Sequence, residues 1–273
     1  MFSTFVINLD KDTERMQFMH EQLTRLNIDY RRESAVLGKT YNPAPEEYNE
    51  AEAVKKGGHA LLPGEIGCAL SHAHVIQKVV AEKIPYTLVL EDDVELPVNF
   101  SKILEREINN NSSGSTWEYL LFDYVIVGRT FIRQWFSGVA IHLKKTWQEQ
   151  SIKVLPQALF FALKGLYIIP LSLFEGARDF YKKYSPGPVR FFRPVYFAGA
   201  YLVTYEGAKK LQALSRPVVY TADQLPNQAR VLKNLRFRGY SPQSVHQLKQ
   251  VFGSSILDLD GRELISNKPS DSN

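Results

Sequence analysis

A run of apolar and β-branched residues, Tyr86-Thr-Leu-Val-Leu90, ends abruptly in three consecutive acids, Glu91-Asp-Asp93. The run reads as a strand buried on both faces, so the acids must emerge together at its carboxyl end. In open α/β sheets that end is where ligands bind. Adjacent carboxylates raise one another's pKa, and a divalent cation among them relieves the repulsion while gripping phosphate oxygens. Two readings of the three residues stand side by side: a metal and diphosphate site, or an acidic turn facing solvent.

The flanking chain supplies the rest of such a sheet. Residues 2–9 read as a strand, and residues 10–26 as a helix in which Met16, Met19, Leu23 and Leu26 recur at helical spacing. Asp10 and Asp12 sit near its start, where capping acids belong. Residues 28–36 give a second strand closed by Gly38, and residues 39–62, with Pro43, Pro45 and Gly57-Gly58, read as irregular or partly helical. Pro63-Gly64 then opens a helix from Glu65 to about Glu82. Its apolar face is Ile66, Ala69, Leu70, Ala73, Ile76 and Val80, with Ser71 and His72 pointing elsewhere. Residues 118–127 and 196–204 resemble further strands, the latter leading into a helix at 206–214. Alternation of this kind predicts an α/β fold, a largely parallel sheet with helices on both faces.

A chain of 273 residues, 44% of them apolar, has material for one large α/β domain or two small ones. No internal repeat or linker divides it. One domain over residues 1–265 is expected, with a variable basic and aromatic segment at about 129–195 and a polar tail at 266–273. The single cysteine, Cys68, excludes an intrachain disulfide framework and a cysteine-based zinc site, in keeping with a reducing compartment. The opening residues lack a basic leader and a small-residue cleavage site, so they read as a first strand and cytoplasmic residence is the default expectation. The apolar stretch 154–174 is interrupted by Gln157, Lys164, Gly165 and two prolines, which argues against a spanning helix.

The net charge of +4 is uneven. Arg133, Lys144, Lys145, Lys153, Lys164, Arg178, Lys182, Lys183, Arg190 and Arg193 fall among many aromatic residues. Such a mixture suits an anionic surface, either lipid headgroups or an acidic glycan, and no nucleic-acid partner is expected. For any one of these residues, a solvated face beside core-filling side chains is the simpler alternative. Within the segment, Phe191-Phe-Arg-Pro-Val-Tyr-Phe197 reads as core strand or as an acceptor groove.

The helix-opening run Gly64-Glu-Ile-Gly-Cys-Ala-Leu-Ser-His72 gathers two glycines, an acid, a hydroxyl and an imidazole. Glycines at a helix start let a ligand approach backbone N–H groups, and the helix end favours anions. Glu65 is equally well a first-turn acid, and His72 a satisfied structural histidine.

Taken in order, Val6-Ile-Asn-Leu9, Arg15, Ala35-Val-Leu-Gly38, Gly64 to His72, Leu88-Val-Leu-Glu-Asp-Asp-Val94 and Gly199-Ala-Tyr-Leu-Val-Thr-Tyr-Glu-Gly-Ala-Lys-Lys-Leu211 resemble glycosyltransferase family 25. That is the lipooligosaccharide glycosyltransferase group, related to the collagen galactosyltransferases. The resemblance covers residues 1–100 and roughly 195–250. It implies a GT-A type, Rossmann-like fold with a metal-binding acidic motif and a UDP-sugar donor, usually UDP-galactose.

On that resemblance, Asn8 and the segment Ala35 to Gly38 end the first two strands, where a uridine would rest. Arg15 reaches the nucleotide or pairs with Asp12 or Glu14. Glu65, Gly67, Ser71 and His72, with Asp92, complete the donor-side set. Asp93, with Asp92 or Glu91 as further candidates, would hold manganese or magnesium against the diphosphate. An inverting displacement also needs a general base for the acceptor hydroxyl. Asp223, in Tyr220-Thr-Ala-Asp-Gln224, matches an acid that follows the glycine–alanine block in the family. It is equally well the cap of a helix starting near Gln224. His246 is a weaker candidate for the metal site.

The implied function is transfer of a hexose, galactose from UDP-galactose, to a lipid-linked oligosaccharide of the lipooligosaccharide type. The implied location is cytoplasmic, peripheral on the inner face of the cytoplasmic membrane, with the oligomeric state left open. A loop over bound donor would exclude water, and residues 39–58 are the candidate. Two rivals remain. A sugar nucleotidyltransferase usually carries a glycine-bearing phosphate loop after the first strand, which Leu9-Asp-Lys-Asp-Thr-Glu-Arg15 lacks. A non-catalytic glycan- or membrane-binding adaptor would have no need of the acids.

Overall fold

The computed structural model describes residues 2–126, 174–175 and 177–248. The chain opens with β1 (Ser3–Asn8), α1 (Thr13–Arg25) and β2 (Arg31–Ser34), each shorter at its ends than its hydrophobic pattern. Then come α2 (Glu50–Gly57), α3 (Pro63–Ala81), β3 (Tyr86–Glu91), β4 (Val94–Glu95), α4 (Phe100–Gly114), β5 (Tyr119–Leu121) and β6 (Val125–Ile126). After the segment outside the described residues follow β7 (Gly187–Val189), β8 (Val195–Tyr196), β9 (Ala200–Thr204), α5 (Tyr205–Ser215), α6 (Gln224–Leu232), β10 (Phe237–Ser241) and β11 (His246–Gln247).

Seven strands form the main sheet in the order β2-β1-β3-β9-β5-β10-β7. Strands β2, β1 and β3 run parallel to one another, as do β5 and β10, while β9 and the edge strand β7 run the other way. The sheet is therefore mostly parallel, with the α/β form expected of the GT-A type. The reversed β9 lay beyond sequence periodicity, which reports burial and not strand direction.

Alternation along each strand divides the core into two layers. Phe5, Ile7, Val89, Tyr201 and Val203 face α3, α5 and α6, meeting Val75, Ile76, Val79, Ala208, Leu211 and Ala229. Val6, Leu88, Leu90, Ala200 and Leu202 face the opposite way, onto Met19 and Leu23 of α1 and Phe100, Ile103, Leu104 and Ile108 of α4. Helices thus cover both faces. Phe100 and Phe122 lock α4 to the sheet in a T-shaped contact at 5.1 Å, worth about 0.5–1.5 kcal/mol beyond the area it buries.

Several sequence expectations need correction. Residues 118–127 are not one strand, because β5 and β6 are separate, and residues 196–204 are interrupted where Phe197 adopts a φ of 80°. The helix α4 has no counterpart among the elements anticipated from sequence, although Phe100, Ile103, Leu104 and Ile108 recur at helical spacing. Ser71 and His72 do not point away from the packed face; they are buried, because α3 is enclosed by the sheet on one side and α5 on another. Residues 39–58 are not a free loop: α2 occupies the end of the tract, and Val218 exchanges backbone hydrogen bonds with Glu47 and Asn49. Most of the basic, aromatic segment and the tail at 266–273 lie outside the described residues. Among the described residues no helix is long and apolar enough to cross a membrane.

Candidate active site

Because β2 and β3 flank β1, the chain changes direction of travel across the sheet at β1. Such a switch leaves a crevice beyond the carboxyl ends of β1 and β3, and Asn8 and Glu91 are the last residues of those strands. Asn8 is a hub of the crevice. Its Nδ2 donates to Asp92 Oδ2 at 2.7 Å and to the Asp12 carbonyl at 3.0 Å, while its Oδ1 accepts from Arg32 Nε at 2.8 Å. Arg32 also pairs with Asp10 at 2.5 Å. An open cleft of about 520 Å³ shares Asn8, Asp10 and Arg32 with this hub and is flanked by His20 and Tyr30. A comparable cleft, about 460 Å³, opens at the other end of the sheet beside Phe2, Lys83 and Pro85 and holds no candidate residue.

Arg15 projects from the first turn of α1 toward the acidic strand end. Its Nη1 donates to Asp92 Oδ1 at 3.2 Å and lies 4.0 Å from Asp93 Oδ2. Both oxygens of Asp92 therefore accept hydrogen bonds from the protein. Burial pushes its carboxyl above the ordinary aspartate value, and the Asn8 and Arg15 contacts pull it back down.

Glu91 turns to the other side. Its Oε1 is 3.1 Å from His72 Nε2 and 3.8 Å from Cys68 Sγ, and its Oε2 accepts from Gln247 Nε2 at 2.8 Å. His72 Nδ1 is 3.0 Å from the Tyr201 hydroxyl, and the Tyr201 ring stacks on Tyr119 at 4.6 Å. Burial, with Glu91 nearby, drives the Tyr201 phenol well above its ordinary value and keeps it protonated. Burial likewise drives the Cys68 thiol up, and the charges of Glu91, Asp223 and Asp93 push it further. The short pairing of β11 with β4 holds Gln247 in place, and Leu248 N donates to the Asp93 carbonyl at 2.7 Å. His246 of the same strand is exposed.

The loop after β2 is seated on α3 by two glycines. A Cβ on Gly38 would lie 1.7 Å from the Pro63 carbonyl oxygen, and one on Gly67 would lie 2.5 Å from that of Val36. Ser71 Oγ accepts from Val36 N at 2.8 Å and donates to the Gly67 carbonyl at 2.7 Å. Ala35 N in turn donates to the Asn8 carbonyl at 3.0 Å. Glu65 accepts from Leu62 N at 2.8 Å, the reciprocal bond of a helix N-terminus. Ala35, Gly38, Gly67 and Ser71 bring the ends of β1, β2 and α3 together, and Glu65 fixes the start of α3.

Asp223 precedes α6, but its side chain makes no capping bond to that helix. Its Oδ2 instead accepts from Phe197 N at 3.5 Å, and its Oδ1 accepts from the Thr221 hydroxyl. Phe197 holds a left-handed backbone unusual for an aromatic residue, the kind of strain that gathers at functional sites. Two residues on, the Gly199 carbonyl accepts from Glu91 N at 2.7 Å. The segment 197–199 thus links Asp223 to the acidic strand end. Phe191 and Val195 are core residues, whereas Phe192 and Tyr196 reach solvent and Arg193 is buried against Glu175.

Sequence patterns missed Cys68, Tyr201, Gln247 and Arg32 as members of this site. The first two lie inside the quoted family blocks, but nothing local marks them as partners of Glu91.

The description "Glycosyltransferase family 25 (LPS biosynthesis protein)" matches residues 1–226. A probable inactive glycosyltransferase 25 family member 3 of Rattus norvegicus is 32% identical over 130 residues, 46% of this chain and 22% of that protein. Procollagen galactosyltransferase 2 of Homo sapiens is 31% identical over 122 residues, 42% of this chain and 20% of that protein. Procollagen galactosyltransferase 1-A of Xenopus laevis is 28% identical over 130 residues, 46% and 21% of the two chains. The matches thus span about a fifth of the length of these relatives. Among solved structures, a glycosyltransferase involved in the glycosylation of the major capsid of PBCV-1 aligns with a TM-score of 0.40 and 12% identity, over 88% of this chain and 81% of that one. With the family match running through most of its 273 residues, the chain belongs to glycosyltransferase family 25.

Proposed function

We propose that this chain is a metal-dependent, inverting hexosyltransferase that moves galactose from UDP-galactose to a lipooligosaccharide-type acceptor. The observation that carries the reading is the convergence of Asn8, Arg15, Asp92 and Asp93 at the switch point between β1 and β3. An arginine beside two acids at that place suits a diphosphate accompanied by a cation. The identity to an inactive relative is no lower than that to the procollagen galactosyltransferases, so turnover rests on the site and not on resemblance.

Asp92 is the less favourable metal ligand of the two aspartates, since it is buried and each of its oxygens already accepts a hydrogen bond, from Asn8 and from Arg15. Asp93, whose Oδ2 lies 4.0 Å from Arg15, offers the hard oxygen donor that manganese or magnesium prefers. When bound, the cation would neutralise the diphosphate as the sugar–phosphate bond breaks. Asp92 fixes Arg15, and Arg15 in turn offers positive charge to the phosphates. Asn8 and the segment from Ala35 to Gly38 shape the nucleoside side, with Gly67 and Ser71 setting the position of that segment, Glu65 fixing the start of α3 and His72 orienting Glu91. The Asp223 carboxylate, free of capping duty, takes the proton of the acceptor hydroxyl as the hydroxyl oxygen bonds to the anomeric carbon.

The acceptor would be lipid-linked, and the enzyme would work at the inner face of the cytoplasmic membrane. Supporting this, Phe180, Tyr181 and Tyr184 are exposed around Lys182 and Lys183, the mixed aromatic and basic surface that anionic headgroups attract. Calorimetric titration of UDP with and without manganese tests the donor half of the proposal. Micromolar binding that needs the metal is expected, and metal-independent or absent binding overturns it in favour of an adaptor. A screen of UDP-sugars for slow hydrolysis with manganese identifies the hexose.

A further inference from the structure

The presence of one cysteine rules out a cysteine-rich zinc site but does not speak to a mixed donor set, and folding creates one. Cys68 and His72 are four residues apart on α3 and share a helix face. Glu91, at the end of β3, meets that face. One ligand atom from each of the three lies within 4.8 Å of the others. His72 Nε2 and Cys68 Sγ are 3.1 and 3.8 Å from the same Glu91 oxygen. Tetrahedral zinc, with bonds of about 2.0–2.3 Å, spaces its ligand atoms roughly 3.5 Å apart, so little movement is needed for all three to converge on one ion.

The outer partners of a metal centre are also in place. Tyr201 faces His72 Nδ1 at 3.0 Å, and Gln247 donates to the second Glu91 oxygen at 2.8 Å. Hydrogen bonds of this kind fix the tautomer and the orientation of metal-binding side chains. The negative charges of Glu91, Asp223 and Asp93 all bear on Cys68, and their field favours a cation. Glu91, 22% exposed at its side chain, and Cys68 are partly open to solvent, while His72 is buried.

We infer that Cys68, His72 and Glu91 form a site for a borderline-soft divalent cation, with zinc as its type. This site is distinct from the oxygen-ligand role given to Asp93, because thiolate and imidazole select zinc over magnesium or manganese. On binding, the Cys68 thiol proton leaves to solvent and sulfur bonds the metal. His72 binds through the Nε2 lone pair with its proton on Nδ1, which then donates to the Tyr201 oxygen. Glu91 binds as carboxylate, so one proton is released per ion.

The test uses the full chain and cobalt(II), with no nucleotide or acceptor, so its outcome is independent of the donor reading. The thiolate signal is expected to saturate at about one cobalt per chain, whatever further cobalt the Asp93 carboxylate takes up. Titration should produce a thiolate-to-cobalt charge-transfer band in the near ultraviolet that zinc displaces and magnesium does not. Cys68 is the sole cysteine, so the band reports this residue directly. Cys68→Ser should remove it, and Glu91→Gln and His72→Gln should weaken cobalt binding at least about tenfold. Circular dichroism checks each fold, and Glu91→Gln, at the exposed end of the cluster, keeps the test open if His72→Gln does not fold. Absence of a thiolate band, or a folded Glu91→Gln chain whose thiolate band saturates at the same cobalt concentration as the parent's, overturns the inference.

Discussion

The side-chain amide of Asn8 donates to Asp92 at 2.7 Å, joining two residues 84 positions apart at the carboxyl ends of adjacent parallel strands. Arg15 completes the arrangement from α1, so that the aspartate is buried with a hydrogen bond and a counter-charge. A carboxylate in that position is tolerable only while its partners remain.

Arg15→Ala should therefore destabilise the fold by about 3 kcal/mol, the cost of leaving one member of a buried pair uncompensated. The double variant Arg15→Ala, Asp92→Asn should recover part of the loss by removing the stranded charge. Urea unfolding of the three proteins measures this. A single variant within about 0.5 kcal/mol of the parent would show that the pair is screened by solvent.

Gly67 is required by close approach. Its substitution by alanine places a Cβ 2.5 Å from the Val36 oxygen and 2.8 Å from Gly38 N, an overpacking expected to cost about 1–3 kcal/mol. The loop after β2 would shift with it, and UDP affinity should fall in parallel. Gly57→Ala, where an added Cβ meets nothing within 4 Å, is the control and should be neutral or slightly stabilising. Equal melting temperatures for the two variants would remove the steric account.

Asp223→Asn keeps the volume and leaves α6 without change, because the side chain makes no capping bond. As the proposed general base, it should lower kcat by about 10²–10⁴-fold while UDP affinity stays at the parental value. Parental turnover in a steady-state assay would move the base to another residue.

His74, half-buried on α3, gives a pH signature. Burial first, then Arg216 and Lys78, lower its pKa below 6.5, against the opposing pull of Glu33 and Glu47. The folded protein therefore binds this proton less readily than the unfolded chain. The contribution to stability is complete above about pH 6.5 and is lost as the pH falls through the depressed value. His74→Gln should flatten this part of the stability profile, as read from denaturation midpoints between pH 7 and pH 5. An unchanged slope would assign the acid sensitivity elsewhere.

Lys182→Gln combined with Lys183→Gln removes two charges from the exposed aromatic patch. Each lysine near an anionic surface is worth about 1 kcal/mol, so partitioning onto phosphatidylserine vesicles at low salt should weaken about tenfold or more. Added salt should erase the difference between variant and parent. Identical partitioning at low salt would refute the surface role.

Local sequence carried much of the fold. The spacing of Met16, Met19 and Leu23, the apolar run Tyr86 to Leu90 and the Pro63-Gly64 helix start each appear in the structure within a few residues of their expected place. These signals are legible because one face of each element must leave water, which is a property of consecutive residues. Phe197 broke the strand expected at 196–204, since an aromatic with a left-handed backbone has no local marker.

The sequence by itself determined that three acids would end a buried strand and that strands and helices would alternate around it. Which acid does what was decided only by the tertiary structure. Strand order set Asp92 against Asn8 and Arg15, and β11, arriving 156 residues after Glu91, gave that acid Gln247 as a partner. The packing of α3 on the sheet turned Cys68 and His72 toward the same acid. Three adjacent carboxylates are chemically alike along a chain. They become different when burial and long-range hydrogen bonds give each one its own surroundings.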